Sequence, residues 1–286
     1  MSEFWNTNLI LGVLSGSRAY GLDDEHSDTD TKGVCVPPKE VLFGLDEFEQ
    51  WEDEGHDNVV YLVRKVIELA LKGNPSILEI LFTDERDVLH IDEWGRMLLD
   101  AKESFLFHDV GGWFRGFAVQ QLKRLERHRD WTLTPPVEPP DPKQYGAVND
   151  EGGIRFFNIQ SQKAYKTAHK QWTHYLEWKK NRNPVRRELE EKHGYDTKHA
   201  MHLCRLMKMS GEIFESGEIR VRRDDGDWLK SVKAGRFSYN ELIEWVRDEE
   251  ARIEELEKLS KLPEKPDRDA ANRLLVAIQE GYLFSR

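Results

Sequence analysis

The chain has 286 residues, of which 33% are charged and 38% are hydrophobic. This length allows one large domain or two ordinary ones with a real core, and we expect two. No apolar run approaches the roughly 18 residues that a membrane helix needs, so we expect no membrane partner. The net charge of −11 argues against a protein that coats nucleic acid with its whole surface, although a local basic patch could still hold one strand or a nucleotide.

The N-terminus and the cysteines indicate a reducing compartment. Residues 1–5 lack the basic start and the apolar stretch of a secretory signal. The two cysteines, Cys35 and Cys204, lie far apart in the sequence. We therefore expect a cytoplasmic, reduced protein.

The first hundred residues predict a mixture of strands and helices. Apolar runs at Leu9–Leu14 and Thr31–Val36 indicate two strands separated by a glycine-containing turn and a short helix. A further strand is expected within residues 46–54. Val59–Lys72 has apolar residues at helical spacing and predicts a helix that ends before Pro75. Two more helices are expected at residues 76–81, with Ser76 as the cap, and 93–107.

The rest of the chain is mainly helical by pattern. Helices are predicted at Trp113–Arg129, Phe157–Asn181, Thr197–Ser216, Tyr239–Leu259 and Asp267–Glu280. Residues 132–142 contain five prolines and predict an exposed loop. The fold class is therefore α+β, with a mixed sheet and flanking helices over residues 1–105 and a mainly α-helical domain over residues 106–286.

A glycine-serine turn followed by two spaced carboxylates is the most informative motif. Asp28 and Asp30 lie two residues apart, so in a strand both point to one side and can bind a hard divalent cation, for which Mg²⁺ is the natural candidate. Gly16 lets the backbone approach phosphates, Ser17 can donate its hydroxyl, and the amides of the following helix favour anions. Either half alone is more often an ordinary turn or cap, but the combination favours catalysis.

A two-metal site usually needs a third carboxylate on a neighbouring strand. Asp57 is the best candidate because it directly precedes the apolar run from Val59. The same position makes Asp57 a possible helix cap, and both interpretations stay open. Glu49 is the reserve candidate, although its acidic surroundings are more typical of a solvated loop.

These motifs resemble the nucleotidyltransferases of the DNA polymerase β superfamily, whose signature is a Gly-Ser or Gly-Gly turn followed by Asp-x-Asp. The closer similarity is to a predicted nucleotidyltransferase family of bacteria and phages that is associated with RNA ligases. The strings that carry it are Gly16-Ser17-Arg18-Ala19-Tyr20-Gly21, residues 27–34, 71–76, 195–206 and 212–219. The resemblance implies a nucleotidyltransferase fold in the first domain. It also implies Asp28 and Asp30 as metal ligands, Gly16 and Ser17 at the triphosphate and, with less surrounding sequence, Asp57.

A predicted helix in the second half carries four cationic or titratable residues, Lys198, His199, His202 and Arg205. Spacings of three and four place them on a shared face, which we expect to hold the triphosphate or the phosphates of the acceptor. Pairing with nearby acidic groups is the alternative, with Asp196 as the helix cap. Zinc binding by the two histidines is disfavoured because no cysteine or second histidine pair has zinc spacing nearby.

Further cationic residues extend these expectations. Arg18, within the glycine-serine motif, is assigned to nucleotide binding. Lys65 could reach the nucleotide from an otherwise apolar helix, or equally extend to solvent. Trp172, Tyr175 and Trp178 recur every three residues, which is more typical of a packing face than of a base-stacking surface. Lysines nonetheless make that helix basic, and an RNA or DNA end could rest there.

The leading hypothesis is a Mg²⁺- or Mn²⁺-dependent enzyme that moves a nucleoside monophosphate from a nucleoside triphosphate (NTP) to an acceptor hydroxyl and releases pyrophosphate. RNA, including tRNA, is the first acceptor to consider, and a protein or a small molecule would use the same chemistry. The rival hypothesis is a non-catalytic nucleotide- or nucleic-acid-binding module, such as an antitoxin-like partner. The intact pair of Asp28 and Asp30 argues against this module, which would not need both carboxylates on one strand face.

Overall fold

The computed structural model describes residues 3–25, 27–150 and 153–284. Its N-terminal part is built on a five-stranded sheet with the order β3-β4-β2-β1-β5. The strands are β1 (Leu9–Leu14), β2 (Thr31–Cys35), β3 (Gln50–Glu52), β4 (Asn58–Leu62) and β5 (Val88–Ile91). The β2–β4 pair is parallel and the other neighbouring pairs are antiparallel, so the sheet is mixed, as predicted.

Short helices connect and cover these strands. They are α1 (Phe4–Thr7), α2 (Gly16–Tyr20), α3 (Lys39–Phe43), α4 (Val63–Ala70), α5 (Pro75–Leu81) and α6 (Glu93–Asp100). The α4 helix buries Val63, Val66 and Ile67 because these residues share one face at helical spacing. The α5 helix begins with Pro75 and is capped by Asn74, whose side chain accepts from the Ile77 amide, so the expected cap at Ser76 is wrong by two residues.

The predicted helix over Val59–Lys72 is wrong in its first part, because residues 58–62 form β4 and the helix begins only at Val63. Val59, Val60 and Tyr61 suit a strand, and β4 pairs in parallel with β2, a partner distant in sequence that periodicity does not reveal. Asp57 therefore precedes a strand, which removes its interpretation as a helix cap. The helix expected over residues 93–107 similarly ends at Asp100 and is followed by a 3-10 turn.

The remainder of the chain is mostly helical, as predicted. The helices are α7 (His108–Leu133), α8 (Ile159–Lys180), α9 (Pro184–His193), α10 (Thr197–Ser216), α11 (Gly226–Lys233), α12 (Tyr239–Leu259) and α13 (Arg268–Phe284). A hairpin of β6 (Ala147–Asp150) and β7 (Gly153–Phe156) precedes α8. The hairpin, α9 and α11 were not expected from the sequence, whereas residues 134–141 form the irregular proline-rich segment that was.

The α10 helix is the central element of the helical part. It is buried along most of its length and packs against α7 and α12. Asp196 caps its start by accepting from the amides of Lys198 and His199, and Gly217 ends it in the left-handed conformation. One buried apolar cluster includes residues from Ile10 to Tyr282, so the sheet and the helices share a core. The division at residue 105 stays a prediction, and among the described helices none has the length and apolarity to cross a membrane.

Candidate active site

Three carboxylates come together at one end of the parallel pair β2–β4. Thr31 is paired with Asn58, so Asp30 and Asp57 occupy equivalent positions directly before the two strands. The Thr31 amide donates to the carbonyl of Asp57 at 3.0 Å, which fixes this register. Asp28 lies two residues before Asp30 on the same segment. Asp28 and Asp57 are exposed and Asp30 is half-buried, so the cluster opens to solvent.

Asp30 lies close to the negative charges of the other two carboxylates. Burial raises the pKa of Asp30, and the neighbouring charges of Asp57 and Asp28 raise it further, while Lys32 and Lys198 oppose them. A divalent cation would relieve this repulsion, and carboxylate oxygens are the ligands that Mg²⁺ and Mn²⁺ prefer. Within the described part of the chain, no three histidine, cysteine, aspartate or glutamate side chains are placed to hold a metal ion by themselves. Oxygen atoms of a nucleotide or water would have to complete the coordination of a cation here.

Gly16 is fitted to the carboxylate cluster in two ways. Its φ of +62° lies in the left-handed region that favours glycine. A Cβ atom at this position would lie 1.8 Å from Oδ2 of Asp30, which is well inside contact distance. The Ser15 amide also donates to the carbonyl of Asp30 at 2.9 Å, so the turn and the carboxylate segment are held side by side. Ser17 follows in the first turn of α2 and is half-buried.

Arg18 holds the segment that carries the carboxylates. Its guanidinium donates to the backbone carbonyls of Ser27 at 3.0 Å and Asp28 at 3.2 Å. Arg222, which sequence reasoning missed, donates to the carbonyl of Arg18 at 3.4 Å and pairs with the buried Asp87 at 2.6 Å. The geometry therefore gives Arg18 a positioning contact, and Arg222 fastens α2 to the helical part of the chain.

The structure separates the four residues that were expected to share a cationic face. Lys198 is exposed and faces the cluster, since its charge lowers the pKa of Asp30. His199 is buried, and its Nε2 accepts from Arg186 at 2.9 Å because a guanidinium can only donate. Burial, followed by the charges of Arg205 and Lys198, lowers the pKa of His202 to about 3, so His202 is neutral. Among these four residues, only Lys198 is both exposed and charged.

Arg205 lies beneath the site in a buried ion pair. Its Nη1 donates to Oε1 of Glu79 at 2.5 Å, and the Tyr20 hydroxyl donates to the other carboxylate oxygen at 2.7 Å. The Arg205 guanidinium also lies over the Tyr20 ring at 3.8 Å from its centroid. These contacts join α10 to α2 and α5. The available sequence signal was Glu79 itself, a lone acidic residue in an otherwise apolar helix.

Lys32 is a further residue that sequence reasoning missed. It lies in β2, two positions after Asp30, which directly precedes this strand. Burial lowers the pKa of Lys32, while the negative charges of Glu79 and Asp30 act in the opposite direction. Lys32 therefore lies between the exposed carboxylates and the buried ion pair.

Comparison with known proteins places these features in a family. The model of the RNA repair pathway DNA polymerase beta family (RlaP) matches residues 2–277. The chain belongs to this family. It therefore falls, at the level of the superfamily, among the nucleotidyltransferases, as the sequence motifs indicated.

One curated relative is similar to part of the chain. The "Uncharacterized protein YcgL" of Bacillus subtilis (strain 168) is 33% identical over 88 residues, which cover 29% of this chain and 34% of that protein. The match thus spans about a third of the length of the relative. No solved structure matches the chain.

Lys65 and Glu49 lie away from the carboxylates. Lys65 follows the carboxyl end of β4, whereas Asp57 precedes its amino end, and at about 3.3 Å per residue the strand separates them by roughly 16 Å. The Nζ of Lys65 instead pairs with Oε2 of Glu49 at 2.6 Å. The structure therefore brings together Asp28, Asp30, Asp57, Gly16 and Lys198, and places the Lys65–Glu49 pair at the other end of the sheet.

Proposed function

We propose that the chain is a nucleotidyltransferase that moves a nucleoside monophosphate from an NTP to an acceptor hydroxyl, with pyrophosphate as the leaving group and Mg²⁺ or Mn²⁺ as the metal. The convergence of Asp28, Asp30 and Asp57 beside Gly16 carries this proposal. A hydroxyl at an RNA end is the acceptor that we propose, in keeping with the family's description.

Each part of the site has a role in this reaction. Asp28 and Asp30 would hold the metal at the triphosphate, and Asp57 would act on the side of the acceptor hydroxyl. Divalent cations supply neutralisation of the triphosphate charge and activation of the attacking hydroxyl. Lys198 adds positive charge from α10, and the backbone at Gly16 and Ser17 can approach the phosphates because no Cβ intervenes at residue 16.

The decisive experiment tests whether the carboxylates are needed for transfer. Each radiolabelled NTP is incubated with total RNA, protein or metabolite fractions and Mg²⁺, using the wild type, Asp28→Asn and Asp30→Asn. We expect label in the RNA fraction with the wild type and a loss of more than about 100-fold in both variants, as for other lost transition-state charge contacts. Glu54→Gln, in the same turn as Asp57, is the matched control and should retain activity.

Two outcomes would reject this assignment. Full activity in both Asp variants would show that another site performs the transfer. NTP binding without pyrophosphate release over the whole acceptor panel would favour the non-catalytic binding module.

A further inference from the structure

The α8 helix is unusually exposed for its length. Of its 22 residues only Tyr175 is buried. It carries five lysines and one glutamate, whereas the whole chain has a net charge of −11. A positive charge of this density on one exposed helix needs a physical explanation, because the surrounding protein is acidic.

The basic residues form a line along one face of α8. Lys163, Lys166, Lys170 and His174 are spaced by three, four and four residues, so they lie one above another. At 1.5 Å per residue this line, here called the lysine stripe, is about 17 Å long. All four side chains are exposed. Thr167 and Thr173 beside it are polar, the exposed Ile159 lies one turn before Lys163, and the exposed Glu177 lies about one turn after His174.

Within the part of the chain that the structure describes, the lysines of the stripe have no acidic partners. Elsewhere, surface lysines do form ion pairs: Lys258 with Glu255 at 2.7 Å and Lys233 with Asp24 at 2.9 Å. Among the ion pairs of the described residues, none includes Lys163, Lys166 or Lys170. Their charges are therefore available to an anionic partner.

The carboxyl end of α8 leads to the candidate active site through aromatic contacts. Trp178 packs against Trp131 of α7 with ring centroids 5.3 Å apart, and His128 stacks on Trp131 at 5.5 Å. His128 meets His199 of α10 edge to face at 5.7 Å. Lys198, the adjacent residue on α10, faces the carboxylates. The stripe thus begins one turn from Trp178 and extends away from the site.

Two exposed arginines of α7, Arg124 and Arg127, lie near these aromatic contacts. Arg127 lies 5.7 Å from the centroid of the Trp131 ring. Burial, then the charge of His199, lowers the pKa of His128 to about 4, and Arg127 and Arg124 lower it as well, so both arginines lie near this cluster. Two exposed cations therefore lie near the aromatic contacts that link α8 to α10.

We propose that the acceptor RNA lies as a single strand along the lysine stripe, with its reacting end at the carboxylates. This inference rests on the proposed function and adds the surface that holds the substrate. Regularly spaced, unpaired cations suit the repeating phosphates of a nucleic acid.

The test measures RNA binding without chemistry. A fluorescein-labelled oligouridylate of about 12 nucleotides is titrated with protein carrying Asp30→Asn, and with the same protein also carrying Lys163→Gln, Lys166→Gln and Lys170→Gln. Glutamine keeps the helix propensity close to that of lysine. The matched control replaces three exposed lysines elsewhere, Lys39, Lys261 and Lys265, by glutamine.

Removing three phosphate contacts should reduce the slope of log K against log salt by about 2, or about 0.7 for each lysine. At about 0.1 M salt this corresponds to a loss of affinity on the order of 100-fold. The control variant should keep most of the RNA affinity and most of the salt slope of its parent. In the transfer assay, with Asp30 intact, the stripe variant should raise KM for RNA with little change in kcat.

The outcomes separate this inference from the proposed reaction. If the stripe variant binds RNA with the same affinity and salt slope as its parent, the RNA surface is rejected, even when transfer to RNA is observed. If no acceptor takes up nucleotide but the stripe variant alone loses RNA binding, the proposed reaction is rejected and the RNA surface stands.

Discussion

At the scale of single residues, the site depends on how closely Gly16 approaches Asp30. A side chain at residue 16 would adopt a disfavoured φ and would also displace the carboxylate. These two effects are separable because Gly194 has a φ of +78°, and a Cβ atom added there would have no other atom within 4 Å. The two glycines therefore share the backbone requirement and differ only in the contact.

We expect Gly16→Ala and Gly194→Ala each to lower the free energy of unfolding by about 1 to 2 kcal/mol, since both place alanine at positive φ. Only Gly16→Ala should also abolish nucleotidyl transfer, because its methyl group occupies the position of the Asp30 carboxylate. Urea unfolding and the labelled NTP assay measure the two effects. Equal retention of activity in both variants would mean that Asp30 does not need this close approach.

Asp30 illustrates a conflict between stability and function. Its pKa is raised by burial and by Asp57 and Asp28, so protonation of Asp30 is easier in the folded protein than in the unfolded chain. For a carboxyl with a raised pKa, the favourable contribution is present at low pH and is lost as pH rises through the folded pKa. Ionised Asp30 therefore weakens the fold at neutral pH unless a cation balances it.

Asp30→Asn should accordingly stabilise the metal-free protein at pH 7, by up to about 1 kcal/mol for a partly exposed charge cluster. Adding Mg²⁺ should raise the melting temperature of the wild type more than that of the variant, because binding to the folded state adds stability. Thermal unfolding with and without Mg²⁺ checks both statements. Identical Mg²⁺ shifts in the two proteins would remove Asp30 from the metal site.

At the scale of elements, the ion pair of Glu79 and Arg205 joins α5 to α10. Burial alone would raise the pKa of Glu79, but the charges of Arg205 and Lys32 and the hydrogen bonds from Arg205 and Tyr20 outweigh burial and lower it. The contribution of Glu79 is therefore present above its unfolded pKa of about 4.3 and lost as pH falls through the lower folded pKa.

We expect Glu79→Gln or Arg205→Met to lower the free energy of unfolding by about 3 to 5 kcal/mol, since each leaves a buried charge without its partner. The double variant should lose less than the sum of the two. The wild type should also lose stability below about pH 4 more steeply than Glu79→Gln. Urea unfolding of the wild type, the two single variants and the double variant at several pH values measures these effects. Strictly additive losses of unfolding free energy would contradict a direct interaction between Glu79 and Arg205.

The elements that sequence patterns predicted well are those whose partners are local. Repeating apolar residues over a long segment identify α10 and α12, and the structure shows α12 capped by Ser238, directly before its predicted start. The β4 strand was interpreted as helix because its parallel partner lies 27 residues earlier along the chain. The spacing of apolar residues shows which side chains share a face, but a strand also needs a partner strand that can lie far away in the sequence. The β5 strand was missed for the same reason.

The same limit explains which parts of the candidate site were foreseen. Asp28, Asp30 and Gly16 lie within one short segment, and their spacing already indicated a shared site. Arg205 looked like one of four equivalent cations on α10, and its partner Glu79 lies 126 residues away. The long-range contact with Glu79 of α5 holds Arg205 inward, whereas Lys198 is exposed.

At the scale of the whole molecule, a shared core predicts a single cooperative unit. The buried cluster runs from Ile10 in β1 to Tyr282 in α13, and the Glu79–Arg205 pair crosses the expected boundary at residue 105. Tryptophans lie in both regions, for example Trp51 near the sheet edge and Trp228 on α11. Fluorescence and far-UV circular dichroism should therefore follow one coincident urea transition. Two separated transitions would show that residues 1–105 unfold independently.

The exposed basic helix gives the molecule a permanent electric dipole as well as a net charge. The α8 helix is positively charged and the rest of the chain is negatively charged. The protein should therefore bind to both anion- and cation-exchange resins near neutral pH, which its net charge of −11 alone would not suggest. The electric field of a polyanion such as RNA exerts a torque on this dipole, which turns α8 towards the polyanion before the two molecules touch. Association with RNA should therefore be fastest at low ionic strength, where this orienting field reaches furthest.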